Sequence, residues 1–150
     1  MSVRVRGEAA EVALAETLAL LAAVADGERR ERLGSLVAAL QEGEVDGDEE
    51  QALEEILELG LATGRLRARY GPEGEQAALK LHRRLPAGRA LADGAAEVTA
   101  SLGELEGRQL EQVSIRAAGP GDFVLTLGVD GLELSVRLDR AGVRLHSVAV

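Results

Sequence analysis

The chain has 150 residues, 46% of them hydrophobic and 29% charged, with a formal net charge of −9, which is the length and composition of a folded globular domain. It has no cysteine or tryptophan and one tyrosine and one phenylalanine, so thiol nucleophiles, disulfides, zinc-thiolate and iron-sulfur sites and aromatic stacking platforms are excluded. The negative charge repels nucleic acid and anionic lipid on average, and no segment approaches the about 18 uncharged apolar residues of a membrane span.

The start combines Arg4 and Arg6 with an apolar stretch, but Glu8, Glu11 and Glu16 interrupt it, leaving too little for a secretory leader. A cytoplasmic protein is expected. Residues 8–24 are rich in Ala, Leu and Glu, with apolar positions around most of the circumference, and predict a central helix buried on more than one side. After Asp26 and Gly27, the positions Leu33, Leu36, Val37 and Leu40 form the stripe of a second, amphipathic helix closed by Gly43. A third helix is expected over about residues 48–69. Asp46 or Asp48 would cap it, its first turns are acidic and Arg65, Arg67 and Arg69 would end it, as the helix dipole favours. Gly60 and Gly64, one turn apart beside Leu53, Ile56 and Leu57, then form a small-residue face suited to close helix packing or a dimer. Residues 71–74 read as a turn, 75–85 as a short helix, and Pro86-Ala87-Gly88 as punctuation. In a fifth helix, Leu91, Ala95, Val98, Leu102 and Leu105 give a narrow seam that needs a facing element, and Leu91, Val98 and Leu102 join the packing candidates.

From Leu110 the apolar period becomes two. Asp130-Gly131 is a two-residue turn requiring positive φ, and it pairs Val129 with Leu132, Leu127 with Leu134, Leu125 with Val136 and Phe123 with Leu138 on one face. Val113 and Ile115 on one side, and Val143 and Leu145 on the other, extend that face into a four-stranded antiparallel meander. The expected fold is α+β. A helical subdomain spans 1–86, and a helix plus meander spans 87–150, its apolar face expected to be covered by the fifth helix and parts of the helical region.

Charge is unevenly placed. Residues 1–64 carry five arginines against fifteen carboxylates, whereas residues 65–90 carry seven basic side chains against two acidic ones. This basic island, with Arg65, Arg67, Arg69, Tyr70, Lys80, His82, Arg83 and Arg84, is expected to pair with the acidic stretch Glu42 to Glu58, or to bind an anion or nucleic acid. The acidic turn 42–48 misses the EF-hand pattern, since Leu53 stands where the bidentate glutamate belongs. Continuing the meander register sets His146 beside Ser135, half of a nucleophilic pair with no orienting acid or oxyanion hole in sight. No metal or cofactor is implied. The expected function is therefore a non-enzymatic protein-protein interaction or scaffold module, self-associating as a homodimer; the alternative is anion or nucleic-acid binding through residues 65–89.

Overall fold

A computed structural model of the chain describes residues 2–150. It shows five helices followed by a four-stranded antiparallel sheet, an α+β fold with the helical part N-terminal. The chain divides into two units, residues 1–88 and 89–150. No helix among the described residues is long and apolar enough to cross a membrane.

The first unit holds β1 (Val3–Arg4), α1 (Glu8–Ala23), α2 (Glu28–Glu42), β2 (Glu44–Val45), α3 (Gly47–Ala62) and α4 (Arg65–His82). Helix α1 packs against α2, α3 and α4. That explains its apolar circumference, and Val12, Ala13, Glu16 and Thr17 are all buried in its middle. The stripe of α2 buries Leu33, Leu36 and Leu40, and Gly43 ends it in the left-handed region at φ 83°. With Gly43 turning the chain, β2 pairs antiparallel with β1, Val3 against Val45, and both valines join the core. Sequence periodicity does not reveal this pair, because two residues are too few to show an alternation. The centre of the unit is closed by Leu36, Leu53, Leu57, Leu66, Leu81 and Leu85.

The expected single helix over 48–69 is two helices. Thr63 ends α3 by donating its hydroxyl to the Leu59 carbonyl at 2.7 Å, and Gly64 at φ 69° redirects the chain before α4 begins. Gly64 thus lies at a break and shares no helical face with Gly60. The three arginines open α4 instead of closing α3, so the helix dipole opposes them there. Gly71 at φ 74° kinks α4, and Pro72 starts its second half, where a missing N–H costs nothing.

Helix α5 (Pro86–Gly103) is followed by β3 (Gln112–Gly119), β4 (Asp122–Val129), β5 (Leu132–Asp139) and β6 (Gly142–Ala149), in that spatial order. The hairpin register is the one read from the alternation: Val129 faces Leu132, Leu127 faces Leu134, Leu125 faces Val136 and Phe123 faces Leu138. Asp130 at φ 50° and Gly131 at φ 78° make the turn, both in the left-handed region that a tight right-twisted hairpin requires. Val98 and Leu105 pack with Val129, Leu134 and Val136 beneath them, joined by Leu102 and the apolar residues of β4 to β6.

One expected pairing fails. Leu138 pairs with Val143 and Val136 with Leu145, but Ser135 then pairs with Ser147, leaving His146 as the extra residue of a β-bulge. The Ser135 hydroxyl instead lies 3.2 Å from that of Thr126. No nucleophilic pair forms. The alternation itself marks the bulge: after Val143 and Leu145 the next apolar residue is Val148, three positions on, and it is Val148 that pairs with Leu134.

Candidate functional site

The basic island is largely consumed within the first unit, and chiefly by a residue outside the acidic stretch. Glu16, 1% exposed, stands in the middle of α1. Its carboxylate takes Arg65 Nη2 at 2.7 Å and Arg69 Nη1 at 3.3 Å, and the Tyr70 hydroxyl donates to it at 2.9 Å. A carboxylate withdrawn from water needs such compensation, and the cation-rich start of α4 supplies it. Burial pushes the Tyr70 phenol above its ordinary value of 10.0, and the hydrogen bond and charge of Glu16 push it the same way. Arg67 pairs with Glu75 at 3.3 Å, and the buried His82 lies 3.2 Å from Glu58. Lys80, Arg83 and Arg84 remain, all exposed on the second half of α4 and just beyond it. Of the acidic stretch, Glu54 accepts the Ala87 N–H at 2.5 Å and so caps the start of α5.

Gly60 is buried and faces inward: a Cβ there would come within 2.7 Å of Leu66 Cγ. Its small size serves the α3–α4 contact inside the unit. In the second unit, Val98 is buried and Leu102 half-buried against the sheet, while Leu91, at the edge of the helix seam, packs close to Gly142.

The sheet has two unlike faces. On the polar one, Arg137 and Arg144 are neighbours across β5 and β6, and Asp122 and Asp139 separate their charges. Arg137 Nε donates to Asp122 at 2.9 Å, and Arg144 Nη2 donates to Asp139 at 2.6 Å. The hydrogen bond from Arg137 holds the Asp122 carboxyl below its ordinary value. On the apolar face the roof is incomplete. Val113 and Ile115 on β3 are 58% and 65% exposed and Phe123 beside them is 42% exposed, and no β3 residue belongs to the core under α5. The strand widths foretell this. Four strands about 4.8 Å apart span more than one helix about 10 Å across can cover, so one edge stays bare.

Among the described residues no three His, Asp or Glu side chains converge as metal ligands. No family model, curated protein or solved structure matches the chain.

Proposed function

We propose that the chain is a non-enzymatic interaction module of the cytoplasm that works as a homodimer, and that the dimer forms along the β3 edge. The observation that carries this reading is the bare strip of Val113 and Ile115 on β3 with Phe123 of β4 beside them, along an edge strand whose outer side has no partner strand among the described residues. Natural sheets protect such edges with bulges, prolines or inward charges. The opposite edge, β6, has a bulge at His146 midway along it. The middle of β3 has no such device, and its irregularity lies at its end, between Ala117 and Gly119.

The strand is also self-complementary. A two-fold axis through Ser114 pairs Val113 with Ile115 of the second copy and Arg116 with Gln112 of the second copy, so apolar residues meet on one face and like charges are not opposed on the other. Shifting the axis by one residue to Ile115 brings the two Arg116 side chains onto a diagonal, where they repel. Replacing Ile115 with lysine puts a charge on an already exposed position of the strip, so the fold tolerates it. Sedimentation velocity should show a dimer for the natural sequence and a monomer for Ile115→Lys; a monomer in both, or an unchanged dimer in the variant, defeats the proposal.

A further inference from the structure

A second feature lies within the first unit. A cleft of about 510 Å³ opens between the β1–α1 junction and the second half of α4. That volume falls in the range of small-molecule sites, roughly 300 to 1,000 Å³. Its walls are the side chains of Val5, Ala9, Ala77 and Leu81. Around them stand Arg6, Lys80 and Arg84, and no described carboxylate lies within ion-pair distance of any of the three. Arg65, Arg67, Arg69 and His82 are held by carboxylates, whereas these three cations gather without such partners around one apolar hollow.

We infer that this cleft binds a small organic anion with an apolar body, the charged head against Lys80 and Arg84 and the body along Ala77, Leu81 and Ala9. Two carboxylates choose this class over a polyanion. Glu73 and Glu8 line the same cleft and would repel a nucleic-acid backbone laid through it. Glu73 is seven residues from Lys80 on the same helix, about 10 Å at 1.5 Å per residue, so the α4 wall of the cleft runs from an acidic side chain to basic ones. An anion with one head and a tail of that length satisfies the basic end and fills the apolar middle without setting a second charge against Glu73. Arg6, on the opposite wall, completes the cationic side.

Decanoate is a suitable probe, with decyltrimethylammonium as its cationic counterpart, each titrated below its micelle concentration and followed by amide resonances. Decanoate should shift residues 5–9 and 72–84, and decyltrimethylammonium should leave them unmoved. The double charge reversal Lys80→Glu with Arg84→Glu, on exposed positions, should weaken decanoate by about tenfold, the scale of two lost exposed ion pairs turned repulsive. Ala77→Phe, which fills the hollow, should abolish binding with the charges intact. The inference is overturned if decanoate does not bind, if both probes bind equally, if either set of substitutions leaves the affinity unchanged, or if the shifts gather on Val113, Ile115 and Phe123 instead.

Discussion

At the residue scale the first unit turns on Glu16. Removing one member of a buried charge cluster leaves the others uncompensated, which is more costly than the cluster's own net contribution. Arg65 and Arg69 are partly exposed and can turn to water. Glu16→Gln should therefore cost about 2 kcal/mol, below the full penalty for isolating a buried charge, read as a lower urea midpoint. The same variant has an optical signature, because Tyr70 is the one tyrosine in a chain without tryptophan. The raised phenol is a stabilising feature present below the ordinary value of 10.0 and lost as pH rises through the folded value. Losing the Glu16 charge should bring phenolate formation to lower pH in an absorbance titration. Gly60 makes a second test. Alanine there gains helix propensity of up to about 1 kcal/mol, but its methyl would collide with Leu66, and overpacking costs about 1 to 3 kcal/mol. Gly60→Ala should destabilise on balance, and a raised urea midpoint would contradict the inward placement of this residue.

At the scale of elements, the hairpin and the helix breaks at Gly27 and Gly43 were open to reading, and the break at Gly64 was not. The alternation through Asp130-Gly131 admits one register, because a slip by one residue would turn every leucine to the wrong face. Gly64 admits two readings, a small residue inside a helix or a left-handed stop, and the arginines after it agree with the dipole only in the first. Packing chose the second, since the buried Glu16 carboxylate compensates cations at the start of α4. The bulge at His146 differs from this: the apolar positions Val143 and Leu145 are followed by Val148, a three-residue step that a strict period of two passes over. On the polar face of the sheet, Asp122 offers a pH test. Its lowered pKa means that the contact with Arg137 stabilises the folded form above the ordinary value of 3.8 and stops doing so as pH falls through the folded value. Hydrogen-exchange protection of the β4 and β5 amides should stay level down to the ordinary carboxyl value of 3.8 and fall below it, and Asp122→Asn should flatten that dependence. An equally steep acid loss in the variant would assign the effect to other carboxylates.

Over the whole molecule, the uneven charge was plain in composition, but its use was not. A basic segment next to an acidic one invites the pairing of neighbours; the structure instead sends Arg65 and Arg69 to a lone glutamate in an Ala-Leu run that reads as an interruption. The bare β3 edge is legible from the widths of one helix and four strands, since one helix leaves part of such a sheet for another element to cover. That edge is where the account places the molecule's function. Concentration-dependent hydrogen exchange tests it most directly, since pairing protects the outward amides of β3 and leaves those of β6 alone. The account predicts that the outward amides between Gln112 and Ala117 slow markedly as protein concentration rises while β6 amides do not change. Equal behaviour of both edges at every concentration would contradict it.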